Sequence, residues 1–415
     1  MKESILVILV FLLFQGCIEP FEAETLDFEG ALVVDARITN EEKQHQVVLT
    51  RARPFEQDDS SPERNATVTI EEGSGISYTF EETSPGQYTS TVAFGAKSNE
   101  SYQLKITTSD GAAYSSTAET MPDNVPIADI EIKRATNDFG EDGVSIILDN
   151  ESLGDQPRYF RYDYEENYKI VAPNWDPVAF NIIDSLACVD GDAFEVGIKQ
   201  RDPQKERICY GQDKSKDIIL VSTANLENNT VSDFEVRFVN RENYILTHRY
   251  SILVNQYSQS VDAHSYYQSL EAFSVSESVF NEIQPGFLSG NITSMTDDDQ
   301  NVIGYFETAA VSSKRVFFNY EDLFPDEELP EYPVNCRTLG NPRLIPRGYH
   351  CTEGSRGVCD GNCDSPLIGQ IQAGTIVYAG VVDPPDFVAP YLTRSRACGD
   401  CTVLGSDVKP DFWID

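Results

Sequence analysis

The chain has 415 residues, more than one hydrophobic core accommodates, and sets 31 Lys and Arg against 68 Asp and Glu for a net charge of −37. So acidic a surface repels nucleic-acid phosphates and anionic lipid headgroups alike, and no basic stretch interleaved with aromatics offsets it, so nucleic-acid binding is excluded. With 20 Tyr and 22 Phe but only 3 Met, the composition suits pleated, half-buried sheets.

The chain opens with Lys2 and an uninterrupted apolar run, Ile5 to Phe14, which leads into Gln15-Gly16-Cys17. A basic start, an apolar run too short to remain in a bilayer and a small residue before the cut read as a signal peptide over residues 1–16. A cysteine directly after that small residue makes it a lipoprotein signal, with Cys17 as the expected lipidation site, although Phe14 stands where leucine is usual. Two or more acyl chains hold a protein on a membrane without crossing it. Residues 17–27 follow as an acidic tether.

From residue 28 to 121 the pattern changes to short alternating strands: Leu32 to Ile38, Gln46 to Arg51, Thr67 to Glu72, Ile76 to Glu81, Gln87 to Ala93, Tyr102 to Thr108 and Ala112 to Glu119. Turn signals such as Gly73-Ser74-Gly75, Ser84-Pro85-Gly86 and Ser109-Asp110-Gly111 separate them, which predicts an immunoglobulin-like β-sandwich. Residues 122–126, with two prolines, read as a linker. A second β-rich domain is predicted over 127–320, including strands at Tyr159 to Val171, Phe234 to Asn240 and Tyr244 to Tyr257. On the last, Tyr244, Leu246, His248, Tyr250, Ile252 and Val254 share a face, so His248 reads as a hydrogen-bonded member of a packed surface. One amphipathic helix is predicted near 261–280, with Ala263, Tyr266, Tyr267, Leu270 and Phe273 at helical spacing and Ser260 or Asp262 as cap. After it, Asn291 to Met295 and Val302 to Ala310 read as a hairpin. The acidic run Asp297-Asp298-Asp299 between them lacks the glycine and distal glutamate of an EF-hand loop, so no metal is expected there.

Residues 321–415 are acidic, proline-containing and Cys-rich, and are expected to pack on the second domain. Of nine cysteines, setting Cys17 aside leaves Cys188, Cys209, Cys336, Cys351, Cys359, Cys363, Cys398 and Cys401. An even number in an exported chain argues for disulfides whose pairing the sequence does not fix, although proximity suggests Cys188 with Cys209. Cys359-x3-Cys363 and Cys398-x2-Cys401 also have zinc-knuckle spacing, and Cys398-x2-Cys401 that of a redox pair. Oxidation ahead of metal capture in an exported protein favours disulfides for both.

Catalytic signals are missing: the four histidines, His45, His248, His264 and His350, show no metal-pair spacing, and there is no nucleophile elbow or phosphate loop. The sequence therefore reads as a binding or scaffold protein with no catalytic residue and no cofactor. Contact surfaces are expected in loops of the Cys-rich tail and in the aromatic segment Tyr159 to Trp175.

Several separated pieces together resemble the lipoproteins of domain-of-unknown-function family 4249. They are Cys17-Ile18-Glu19-Pro20-Phe21, Leu32 to Asn40, Gly290-Asn291-Ile292 with Gly304-Tyr305-Phe306, and Cys398-Gly399-Asp400-Cys401 with Lys409-Pro410-Asp411-Phe412-Trp413. The resemblance implies an outer-membrane lipoprotein of Bacteroidota, usually encoded beside a TonB-dependent receptor, and hence an accessory partner of that β-barrel in nutrient uptake. Glu19, Glu22 and Glu24 resemble the surface-export signals of that phylum, which implies a position facing the cell exterior. A surface adhesin and a surface hydrolase are the alternatives. The family brings no catalytic residues.

Overall fold

The computed structural model describes residues 30–52, 61–151, 158–185, 194–202, 205–226, 229–275, 288, 290–297, 300–337, 339–345 and 364–415. The signal peptide, Cys17 and the tether, together with Cys188, Cys351, Cys359, Cys363 and His350, lie outside the described residues.

The first unit contains β1 (Leu32–Thr39), β2 (Gln46–Arg51), β3 (Ser61–Pro62), β4 (Thr67–Glu72), β5 (Ser77–Ser84), β6 (Gln87–Ser90), β7 (Ser101–Thr107), β8 (Ala113–Ser116) and β9 (Glu119–Thr120). Alternation decides which face is buried: Leu32, Val34, Ala36 and Ile38 of β1 point inward with Val47, Leu49, Val68, Ile70, Tyr102, Leu104 and Ile106. The second unit contains β10 (Ile127–Thr136), β11 (Asp142–Asn150), β12 (Tyr159–Val171), β13 (Val178–Asp184), β14 (Glu195–Gln200), β15 (Ile208–Lys214), β16 (Ile219–Ser222), β17 (Phe234–Asn240) and β18 (Arg249–Gln259). Helix α1 (Val261–Val275) follows, then β19 (Ile292–Ser294), β20 (Val302–Asn319) and the short α2 (Tyr320–Leu323). Ser260 caps α1, its Oγ accepting from Ala263 N at 3.1 Å. The end of the chain adds α3 (Pro366–Gln372), β21 (Ile376–Val381), β22 (Tyr391–Ser395) and α4 (Arg396–Gly399).

The fold is mainly β, as its alternating strands predict, but the two sandwiches share a strand. Residues Val302 to Ala309 of β20 pair in parallel with β1, and Ala310 to Asn319 pair antiparallel with β18. A sheet therefore runs in the order β15-β12-β18-β20-β1-β2-β6-β5-β4-β7-β8-β19. Its second-unit strands cover the three-stranded sheet β10-β11-β17 over a core that includes Ile146, Leu148, Phe160, Tyr162, Ile252 and Val254.

Three local expectations change. Residues 291–295 and 302–310 do not form a hairpin: β19 pairs with β8, so that the first sheet curls until its two ends meet. There the Asn291 side chain bonds both Phe306 N at 2.8 Å and Phe306 O at 2.9 Å. The approach is so close that a Cβ on Gly290 would stand 1.6 Å from Gly304 O, and one on Gly304, whose φ is +122°, 1.9 Å from Val34 O. The segment 122–126 is not a free linker, since Val125 is buried in the second core and its carbonyl accepts from Gln256 Nε2 at 2.6 Å. Finally, Tyr244–Leu246 is a single 3-10 turn rather than the start of a strand, and β18 begins only at Arg249.

A small third core unites the β13–β14 hairpin, α3 and the β21–β22 hairpin around Phe180, Phe194, Val196, Leu344, Leu367 and Ile368. Two disulfides tie this end down, Cys209–Cys401 and Cys336–Cys398. Cys209 is thus not paired with Cys188. Cys398 and Cys401, three residues apart, bond different partners, which excludes the zinc and redox readings for that pair. Cys359 and Cys363 lie outside the described residues.

Candidate binding groove

A hollow of about 740 Å³ lies where β12 ends and β18 begins. After α2 the chain runs as an irregular strap from Phe324 to Arg337, and it is pinned rather than loose. Phe324 is buried, stacked on Tyr320 at 4.8 Å, with the guanidinium groups of Arg134 and Arg241 at 4.8 and 5.8 Å from its ring. The same two arginines reach Glu327 at 2.7 and 2.9 Å. Further on, Tyr332 Oη accepts from Val171 N at 3.0 Å, its ring lies 5.9 Å from Tyr244, and Cys336 is bonded to Cys398. Proline on either side of Tyr332 removes backbone donors that such a wall would leave unpaired.

Between strap and sheet are two adjoining hollows that share Val171, Thr247, His248 and Leu329. The larger, about 740 Å³, is bounded by Val171, Ala172 and Pro173 on one side and by the strap from Leu329 to Arg337 on the other. The smaller, about 300 Å³, adds Lys169, Arg249, Asn319, Glu321 and Asp415. These sizes fall within the range of small-ligand sites.

His248 is therefore a groove residue and not part of a strand face. Burial, and then the charge of Lys169, hold its imidazole below the usual histidine range, so it is neutral at pH 7. Among the described residues its ring makes no hydrogen bond, and no group of three or more metal-ligating side chains forms anywhere. Lys169 and Arg249 come to the smaller hollow from β12 and β18, just beyond Tyr168–Tyr250, the last pair of that ladder. Asp415 stands at the far rim, paired with Lys409 at 2.6 Å, and Trp413 beside it packs between Tyr210 and Phe317 at 5.0 and 5.9 Å.

Of the surfaces expected from sequence, the aromatic segment divides. Phe160, Tyr162, Tyr164 and Tyr168 fill the second core, Trp175 lies 5.5 Å from both Arg201 and Arg207, and Val171 to Pro173 line the groove. Cys336 and its neighbours bring the Cys-rich end to the same place. Lys169 and the strap fall inside the two stretches expected to make contacts, whereas Arg249 was not marked by the sequence; a sharper signal for the strap was Leu329-Pro330-Glu331-Tyr332-Pro333, an aromatic residue fixed between prolines.

A second polar cluster sits where the two sandwiches meet. Glu307, fully buried, accepts from Gln259 Nε2 at 2.5 Å and Tyr267 Oη at 3.1 Å, and faces Arg161 at 3.4 Å and Arg37 at 3.8 Å. The ring of Tyr257 lies between those guanidiniums, 4.6 Å from Arg37 and 4.7 Å from Arg161. Burial opposes ionisation of Glu307, but the two arginines outweigh it and hold its carboxyl below the usual range. This cluster locks α1 and four strands together.

Two fused β cores, a Cys-stapled end and a groove beside the strap define a mainly β protein. The chain belongs to the family described as Domain of unknown function (DUF4249), whose model matches residues 18–315. The family thus takes in the lower wall of the groove, while the strap and the disulfide-bonded end from Cys336 onward fall beyond the matched part. No curated protein matches the chain.

Proposed function

We propose that this is a non-catalytic outer-membrane lipoprotein, anchored through Cys17 and facing the cell exterior, that holds a ligand in its groove as the accessory partner of a TonB-dependent receptor in nutrient uptake. The observation that carries this reading is the path of β20. Its Val302 end pairs with the start of β1 at Leu32, and its Asn319 end borders the groove. Eighteen residues of strand separate the two by about 55 Å. The tether enters at one pole and the groove opens at the other. From Cys17 to Gly30 the chain reaches at most about 45 Å, so the Leu32 pole stays within that distance of an anchor at Cys17 while the groove lies at the far end of β20.

At that outer pole the β10–β11 turn presents Phe139 with 90 % of its surface exposed. The turn is built to hold it: Asn137 Oδ1 accepts from Phe139 N at 3.1 Å and Glu141 N at 2.9 Å, and Gly140 N donates to Asn137 O at 2.9 Å. A rigid, solvent-facing aromatic is a typical interface anchor. It equally suits the second reading, a surface adhesin. A photo-cross-linking residue at Phe139, activated in intact envelopes, tests the choice. Capture of a β-barrel transporter supports the accessory role; capture of extracellular material alone overturns it. In the same strain, Cys17→Ser is expected to release the protein from the membrane fraction.

A further inference from the structure

We propose that the groove takes an organic carboxylate with an apolar body, its anionic head between Lys169 and Arg249 and its body along the strap. This deepens the reading of the groove as the ligand site and rests on it.

The first observation is a like-charge pair. Lys169 and Arg249 line one small hollow just past the last pair of the β12–β18 ladder, Tyr168–Tyr250, and two like charges gathered there favour a negative group between them. Neither has a carboxylate within ion-pair distance among the described residues. Arg249 donates only to the neutral Asn319 Oδ1 at 3.1 Å, and its buried Nε has no partner. In a chain with 68 acidic side chains, two cations that share a hollow and form no ion pair, with Asp415 acting on Lys169 only from beyond ion-pair distance, leave room for a further counter-charge.

The second is the state of the carboxylates at the rim. Asp415 is held by Lys409 and Glu331 by Arg337, which leaves Glu321 as the single rim acid without a cation. With His248 neutral and Lys409 counted beside its partner Asp415, Lys169, Arg249 and Lys409 against Glu321 and Asp415 leave one positive charge. An ammonium ligand would meet that charge unfavourably; an oxyanion would receive charge-assisted hydrogen bonds.

The third is the division of the groove. The charged hollow opens directly into a larger one walled by Val171, Pro173, Leu329, Pro330, Tyr332 and Val334. A ligand that satisfies both is anionic at one end and apolar along its length. A peptide ending in a free carboxylate and a medium-chain fatty acid both answer to that chemistry.

The test uses the full chain held in amphipol and two pairs of probes measured by calorimetry: acetyl-Ala-Val-Pro-Phe as the acid and as its C-terminal amide, and decanoate against decanol. The acid of one pair is expected to bind about tenfold or more tighter than its neutral twin, the ratio for one charge-assisted contact. Which pair shows it identifies the source. Lys169→Gln should abolish the ratio and Lys169→Arg restore it. Equal binding of acid and neutral probes, a ratio that survives Lys169→Gln, or no binding of any probe at millimolar concentration overturns the assignment. Cross-linking from Phe139 does not depend on these outcomes, so the accessory role stands or falls separately.

Discussion

The Cys336–Cys398 bridge holds the outer wall of the groove, and its removal gives the sharpest stability test. The two cysteines are 62 residues apart. In the chain-entropy treatment, closing a loop of that length removes about 4 kcal/mol of unfolded-state freedom. Substituting both by serine restores that freedom and should lower the melting temperature by about 10 °C, given roughly 2–4 °C per kcal/mol for units of this size. The loss should be local as well as global. Phe324 and its two arginines still pin the first part of the strap, whereas Leu329 to Arg337 would lose its covalent tie and depend on weaker contacts such as those of Tyr332 and of the Pro330 carbonyl, which accepts from Thr247 Oγ1 at 3.5 Å. The assay is a thermal melt in non-reducing buffer together with limited proteolysis, with mass spectrometry locating the first cut. New cleavage between residues 329 and 343 is expected before either sandwich is cut. Unchanged melting and an unchanged cleavage pattern would refute the reasoning, as would disulfide mapping that pairs Cys336 elsewhere.

Three further outcomes follow from the same geometry. Glu307→Gln leaves Arg37 and Arg161 facing each other across Tyr257 without a buried counter-charge, which should cost about 3–5 kcal/mol; a shift in the denaturant midpoint equivalent to under about 1 kcal/mol would contradict the role given to this cluster. Gly304→Ala places a methyl 1.9 Å from Val34 O at a positive φ, so β1 and β20 cannot pair as they do, and far-UV dichroism with size exclusion should show loss of the folded monomer. His45, buried with Nε2 2.8 Å from Phe94 O, is held down to about 4, mainly by burial. Because the folded pKa is depressed, its stabilisation is complete above the unfolded value near 6.5 and is lost as pH falls toward 4, in all about 3 kcal/mol. The fall in melting temperature between pH 7.5 and 4.5 should therefore be smaller in His45→Gln than in the wild type, and equal falls would contradict this.

The elements whose periodicity is local were legible in the sequence. β1, β2, β4 and β7 alternate cleanly because each buries one face, and Ser260 announced the start of α1. What was missed depends on partners far away in the chain. Nothing in Val302 to Asn319 says that its first half pairs with residue 32 and its second half with residue 258; each half carries apolar strand-type residues, and neither Glu307 in the first nor Ser312-Ser313-Lys314-Arg315 in the second names a partner. The hairpin expected around residue 298 failed for that reason, since adjacency in sequence was taken for pairing in space. The same assumption linked Cys188 with Cys209, whereas Cys209 finds Cys401 across 192 residues. His248 was misplaced because Tyr244 to Tyr257 keeps strand alternation while Asn243 caps a 3-10 turn inside it. The groove combines these failures: one wall ends two strands, the other is a strap without periodicity, and Lys169 and Arg249 reach the same hollow from different strands.

An anchored partner of an outer-membrane receptor should leave the membrane together with that receptor. Gentle detergent extraction of the tagged chain from its own outer membrane, followed by mass spectrometry of what copurifies, tests it most directly. A TonB-dependent β-barrel in stoichiometric amount is the expected result. Recovery of the lipoprotein alone, under conditions that keep a known receptor complex intact, would contradict it.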